Sequence, residues 1–329
     1  MDLRQPERLW SDTASGANRT DGTDGLGQGA TLKPIDILMG VTVAVTWGLG
    51  ITLAKAGFAD FPPIMLTALR FSVTALALVW FVRPPLGAMG RILAISFVVG
   101  TVQYSLTFTG LYGLDASTAA IIIQLEVPFA TLLAVLFLHE KIGPWRIAGM
   151  VLAFAGILLI TGEPRIQEDL LPFFLVLAGA FTWAAGNIMI KTLGGAVGGF
   201  RLIAWVAVFT APQLFAVSFL LEDGQMQALS NAGWHGWGVV LYLGLVMTAF
   251  GYGLWFRLLG RHPVSHVMPF LLLLPVTAMV ASVLMLGEQP TAIILTGAAL
   301  VLIGVGVILH RQARKEAAPK GAPEGVPPD

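Results

Sequence analysis

The sequence predicts an all-α membrane protein of ten transmembrane helices, arranged as a five-plus-five inverted repeat with both termini cytoplasmic. Three observations predict it. Apolar residues make up 56% of the 329-residue chain and charged residues only 12%, about half the usual charged share of a soluble domain. The charges are also uneven: of 38, nine lie in residues 1–33 and seven in 311–329, leaving 22 between 34 and 310. A stretch so poor in charge cannot cover itself with polar surface and must face lipid. The apolar runs, finally, recur in an ordered, internally repeated series. This composition excludes a soluble enzyme and a nucleic-acid binder, which would need a basic stripe, and the lack of cysteine excludes a disulfide scaffold. Net charge is zero and identifies no partner.

Residues 1–33 are polar, with Gly, Asp, Thr and Ser predominating, and no apolar core follows the first basic residues, so no cleaved signal peptide is expected. Residues 311–329 are rich in Ala, Pro, Gly and Lys. Both tails are read as disordered and cytoplasmic. Between them, ten apolar runs each reach the roughly 20 residues that a helix needs to cross a bilayer. They cover about 35–55, 64–82, 91–112, 116–138, 145–162, 170–191, 200–221, 237–259, 264–286 and 290–310. The runs are continuous and rich in Leu, Ala, Val and Gly, whereas a membrane barrel would alternate in short segments. Turn chemistry punctuates them at Phe61-Pro62-Pro63, Arg83-Pro84-Pro85, Gly143-Pro144, Gly162-Glu163-Pro164, Gly194-Gly195 and His262-Pro263. Most connections are short, so consecutive helices are antiparallel neighbours. The longer loop is about 222–236.

Orientation follows from Lys and Arg. With a cytoplasmic N-terminus, sixteen fall in inside segments, only Lys55 and Arg165 fall outside, and Arg70 lies within a span. That is a strong positive-inside bias. The halves also echo one another. Trp47 and Lys55 in span one match Trp183 and Lys191 in span six at an offset of 136. Tyr104 matches Tyr252, Glu140 matches Glu288, Gly149 matches Gly297 and Gly156 matches Gly304, all at 148, with Pro128 and Pro275 within one residue of it. The long loop supplies the inserted residues. Five is odd, so a directly repeated unit sits upside down the second time. Residues 34–162 form the first unit and 163–310 the second. Such inverted repeats belong to secondary transporters that bind substrate near the midplane.

Ten spans, short loops and this repeat resemble the drug/metabolite transporter superfamily, and within it the EamA branch. The residues that carry the resemblance are Trp47-Gly48 in span one, Pro-Pro then Leu69-Arg70-Phe71 in span two, Leu138-His139-Glu140-Lys141 ending span four, and Leu286-Gly287-Glu288 ending span nine, with the four glycines. It covers about 34–310. It implies two five-helix EamA repeats, a multi-pass protein of the cell inner membrane, export of small organic solutes, and no cofactor. The aromatic content is similar to that of the aromatic-amino-acid exporters of this branch, which makes amino acids the leading substrates and a drug or other metabolite the alternative. Glu126 departs from the pattern, which is usually apolar there.

Ionisable groups deep in a bilayer cost about 2.5–3.5 kcal/mol on insertion scales, which marks them as functional candidates. Two lie well inside spans: Arg70 and Glu126. Either Glu126 faces a central cavity and holds a substrate ammonium or a proton, or it pairs with Arg70 and locks two helices. A protonatable Glu126 permits proton antiport, and facilitated diffusion fits equally. Lys55, Arg70 and Lys191 are candidate carboxylate contacts, although span-end lysines commonly snorkel to the headgroups. Trp47, Tyr104, Trp183 and Tyr252 lie near mid-span, where their N–H and O–H groups need partners; they either line a cavity or pack helices. Trp10, Trp80, Trp145, Trp234 and Trp237 fit an interface belt. Gln124 and Asn187 are read as ligand contacts, with Gln103 a further midplane amide, and Asn187 shares a helix face with Trp183. Pro128 and Pro275 each free a backbone carbonyl. The paired glycines, seven residues apart, permit close helix contact between halves or between the protomers of a homodimer. Glu140 and Glu288 cap or pair in loops.

Other classes fit less well. His139-Glu140 has no second His four residues on, and Pro263 separates His262 from His266, so no zinc-protease site forms. There is no cysteine nucleophile, paired Asp or Gly-Lys phosphate loop. No ring of like charges suits a channel filter. The partners expected are a small-molecule substrate and the lipid bilayer, without nucleic acid.

Overall fold

A computed structural model describes residues 33–138, 143–191, 193, 197–259, 261–262 and 264–317. The tail 1–32, the His139-Glu140-Lys141 segment, Gly194-Gly195, Pro263 and residues 318–329 lie outside the described residues. Among the described residues there is no strand. Among the described residues, ten helices are long and apolar enough to span a membrane: α1 (Pro34–Gly57), α2 (Pro63–Phe81), α3 (Leu86–Gly113), α4 (Ala116–Phe137), α5 (Pro144–Thr161), α6 (Leu171–Lys191), α7 (Gly199–Leu221), α8 (Trp234–Leu259), α9 (Met268–Leu286) and α10 (Ala292–His310). The last helix continues to Ala317, into the segment read as disordered, because Arg311–Ala317 consists of strong helix formers.

Helix starts use proline and borrowed carboxylates. Pro63, Pro144 and Pro172 occupy early helical positions, where a missing N–H costs nothing. The free N–H groups of Ile64 and Met65 donate to Glu222 at 2.6 and 3.0 Å. Those of Ala116 and Ser117 donate to Glu288 at 2.6 and 3.1 Å. Both acids come from distant loops, and each satisfies orphan donors and complements the helix dipole. Glu288 is thus the cap expected; Glu222, in the long loop, is a cap the sequence did not indicate. Beside Glu288, burial and that second carboxylate push the Asp115 carboxyl above its ordinary value.

Packing is pairwise: α5 runs along α10, α2 along α7, α3 along α6 and α1 along α9. Small residues allow the closest approaches. A Cβ on Gly149 would lie 2.7 Å from the Gly304 carbonyl, and one on Gly156 would lie 2.6 Å from that of Gly297. The glycine stripe therefore joins the two halves of one chain. Outward surfaces carry exposed Leu76, Val151, Leu158, Leu284 and Ile303, while Trp80, Trp145 and Trp234 are exposed at span ends, the depth an interface belt occupies.

Three irregularities shape the middle of the bundle. In α4, Gln124 and Leu125 form a turn between the helical segments Ala116–Ile123 and Glu126–Leu138. The break sits at the residue four before Pro128, whose carbonyl a proline ring displaces. In α9, the residue four before Pro275 is Leu271, within a 3-10 stretch, Met268–Leu272. Finally, π-helical segments interrupt α3 at Ser96–Val102 and α8 at Tyr242–Phe250. Their irregular backbone is pinned from outside: Thr210 Oγ1 donates to the Ser96 carbonyl at 3.3 Å, and Thr74 Oγ1 donates to the Gly244 carbonyl at 2.9 Å. Nothing in the local sequence marks the π segments.

Candidate functional site

The α4 turn, the 3-10 stretch of α9 and the π segment of α8 supply Gln124, Leu271 and Met247 to the lining of one cavity of about 110 Å³. Seven of the expected residues line it: Trp47, Arg70, Tyr104, Gln124, Glu126, Trp183 and Tyr252. Gln103 joins them, and the lining also includes Thr107, Met247, Leu271 and Leu274, which the sequence did not single out. These last are uncharged residues on apolar helices, where nothing marks one face over another until the neighbours are known.

Arg70 is the most constrained member. It is 1% exposed. Its Nε donates to Thr248 Oγ1 at 2.9 Å, and its Nη2 donates to the Tyr104 hydroxyl at 3.3 Å. The guanidinium carbon lies 4.9 Å from the Tyr104 ring centroid and 5.4 Å from that of Phe71, within cation–π range. Its Nη1 is buried without a hydrogen-bond partner. Thr248 belongs to the π segment of α8 and passes its own proton to the Leu243 carbonyl at 2.7 Å. The π segment thereby orients the arginine, a common setting for such segments.

Glu126 begins the helical segment after the α4 break. It is half-buried, lines the same cavity, and makes no ion pair with Arg70. The reading in which these two charges lock each other is therefore not what the structure shows. Gln124 Nε2 donates to the Leu271 carbonyl at 3.4 Å. That is the carbonyl four residues before Pro275, so one cavity amide serves an acceptor that a proline frees.

The aromatic set forms the rest of the wall. Trp47 Nε1 donates to the Met247 carbonyl at 3.0 Å, and its ring packs on Tyr252 and Trp255 with centroids 4.8 and 5.7 Å away. Tyr104 stands edge-on to Phe71 at 4.9 Å and tilted to Phe108 at 5.5 Å. Tyr252 also stacks on Phe256, with ring centroids 6.1 Å apart.

Three candidates fall elsewhere. Lys55 does not line the cavity: its Nζ donates to the carbonyls of Leu111 and Tyr112 at 3.1 and 2.7 Å, closing the C-terminal end of α3 as a cation does there. Asn187 is exposed and outside the lining. Four residues turn a helix about 40° past a full turn, enough to carry a short side chain off the face that the Trp183 ring reaches. Lys191 is exposed at the end of α6, also outside the lining. His262 Nε2 sits 3.0 Å from Asp36 Oδ2, with Arg261 at 3.8 Å from the other oxygen, so this histidine lies beside a carboxylate and outside the cavity lining.

Removing the Thr248 hydroxyl while keeping its shape tests the support of Arg70. Thr248→Val leaves the buried Nε without a partner, a loss of about 1–3 kcal/mol. The purified variant is expected to melt at a lower temperature and to bind its solute several-fold more weakly; unchanged values on both counts would remove Thr248 from the site.

The EamA-like transporter family matches residues 34–162 and again 170–310. The chain belongs to that family. It is a multi-pass membrane transporter, not an enzyme. An Escherichia coli K12 protein named "Probable amino-acid metabolite efflux pump" is 30% identical over 82% of this chain and 93% of its own length. A Salmonella typhimurium protein of the same name is 31% identical over 85% and 98%. A "Probable terminal-alkyne amino-acid exporter" of Streptantibioticus cattleyicolor is 26% identical over 85% of this chain and 96% of itself. One solved crystal structure superposes with a TM-score of 0.59 over 87% of this chain and 99% of its own, at 18% identity, a likeness of fold alone.

Proposed function

We propose that this transporter exports amino acids from the cytoplasm across the cell inner membrane, by alternating access at the central cavity. One observation carries the reading. One cavity in the middle of the bundle holds a guanidinium with a buried free N–H and a carboxylate that has no hydrogen-bond or ion-pair partner among the described residues, and the two do not neutralise each other. A zwitterion is the solute whose charges answer both. Its carboxylate accepts from Arg70 Nη1, its ammonium donates to Glu126, and the aromatic set encloses the remainder. The names of the relatives support an amino-acid substrate.

Alternating access rests on the inverted repeat. The family matches the chain twice, over its two halves. The packing pairs also exchange under the repeat: α5–α10 and α2–α7 map onto themselves, while α1–α9 maps onto α4–α6, which also pack together. The π segments fall at corresponding places, with Ser96–Val102 shifted by 148 landing on 244–250. Placing both termini in the cytoplasm rests on the distribution of Lys and Arg.

Glu126→Gln tests the ammonium contact. Liposomes containing the purified protein and loaded with labelled amino acids should show saturable flux, and Glu126→Gln should reduce it at least tenfold, since a charge-assisted hydrogen bond is lost, worth about 1.5–3 kcal/mol. Saturable flux that the substitution leaves intact would take Glu126 out of the site. No amino-acid flux in the unaltered protein would move the reading to a drug or another metabolite.

A further inference from the structure

The polarity of the cavity is divided between the two halves of the chain. Its charged and amide groups, Arg70, Gln103, Gln124 and Glu126, all come from α2, α3 and α4. So does its aliphatic hydroxyl, Thr107. The second half contributes Ala180, Met247, Leu271 and Leu274, with the rings of Trp183 and Tyr252. The repeat offsets show that the polar groups have no polar counterparts. At 148 residues Glu126 falls on Leu274 and Gln103 on Gly251, and at 136 residues Arg70 falls on Val206. An otherwise paired scaffold thus encloses an amphipathic space.

Such a space accepts an amphipathic solute in one orientation. The charged head must lie on the first half, where its charges are answered. Whatever the head carries then lies against the remaining lining, which is the whole second-half wall together with Trp47, Ile51, Phe108 and Ile123 of the first half. A charged or strongly polar side chain would lose its water there and find only ring heteroatoms in exchange.

We propose that Ala180, Met247, Leu271 and Leu274 form the specificity wall for the substrate side chain, and that the preferred substrates are α-amino acids with apolar side chains. The proposal rests on the reading of Arg70 and Glu126 as the head-group contacts. Two members set the size limit. Ala180 is buried and carries the smallest side chain of the wall. Met247 spans the gap to α1, where its sulfur lies against Gly50, and methionine adapts its shape readily.

The test uses the full chain in liposomes, with flux measured for alanine, valine, leucine, phenylalanine, lysine and aspartate. The unaltered protein should favour valine and leucine over lysine and aspartate. Met247→Ala, which enlarges the wall, should raise the ratio of phenylalanine to alanine flux, and Ala180→Leu should lower it, each by about tenfold, the discrimination that one or two methylenes supply in an apolar pocket. A variant that fails to fold loses every flux equally and elutes as aggregate, and the other variant then decides. The wall is wrong if a folded variant scales all substrates by one factor, or if lysine and aspartate pass as readily as leucine. No amino-acid flux in the unaltered protein overturns the head-group reading, and this inference with it.

Discussion

Arg70→Gln is expected to weaken amino-acid transport by about 10- to 150-fold, read as the rise in half-saturating concentration. The magnitude is that of one charge-assisted hydrogen bond, about 1.5–3 kcal/mol, at about 1.4 kcal/mol per factor of ten. Glutamine keeps amide donors near Thr248 and Tyr104 but removes the charge and the free Nη1. Because the guanidinium is 1% exposed, solvent screens the lost charge little. Arg70→Lys should recover only part of the loss. An ammonium is a point charge and cannot hold Thr248 and Tyr104 while offering a further N–H in a fixed fork. The ordering to look for is native, then Lys, then Gln, in proteins that elute as single species. A half-saturating concentration unmoved by Arg70→Gln would mean that this arginine only fastens α2 to α3 and α8, and the zwitterion reading would lose its anion contact.

Arg70 and Glu126 were legible in the sequence because charge is rare between 34 and 310, and burying it has a known cost. Their separation was not. Whether two intramembrane charges pair depends on the rotation of α2 against α4, which no spacing within one helix reports. The break in α4 was legible in kind from Pro128, since its displaced carbonyl lies four residues back. That this break would set Gln124 against the Leu271 carbonyl needed the fold. The π segments were opaque for another reason. Their backbone is stabilised by Thr74 and Thr210, partners more than 100 residues away in sequence. Lys55 misled because a span-end lysine can meet a headgroup, a ligand or a helix terminus, and the carbonyls of Leu111 and Tyr112 took it. The glycine stripe was legible as a close contact, but not as one between α5 and α10.

That contact yields the largest expected effect on stability. Gly156→Leu should lower the melting temperature of the purified protein sharply, and Gly156→Ala less so. The Cβ of any substitute would lie 2.6 Å from the Gly297 carbonyl and 2.9 Å from the Val301 amide. Both are backbone atoms, so no rotamer change relieves the collision and α5 must move off α10. Overpacking of this kind costs about 1–3 kcal/mol or more. Alanine gains up to about 1 kcal/mol of helix propensity over glycine, which offsets part of the loss; leucine adds further bulk that the offset does not cover. Gly304→Ala should behave like Gly156→Ala, because its Cβ would lie 2.5 Å from the Gly149 carbonyl. Gly90→Ala is the control: a Cβ there meets nothing within 4 Å, so only the propensity gain remains. Neither α5 nor α10 contributes to the cavity. Folded Gly156→Ala should therefore keep its half-saturating concentration while losing thermal stability, the reverse of the pattern expected for Arg70→Gln. Equal melting temperatures for Gly156→Leu and Gly90→Leu would show that the α5–α10 contact does not hold the two halves together.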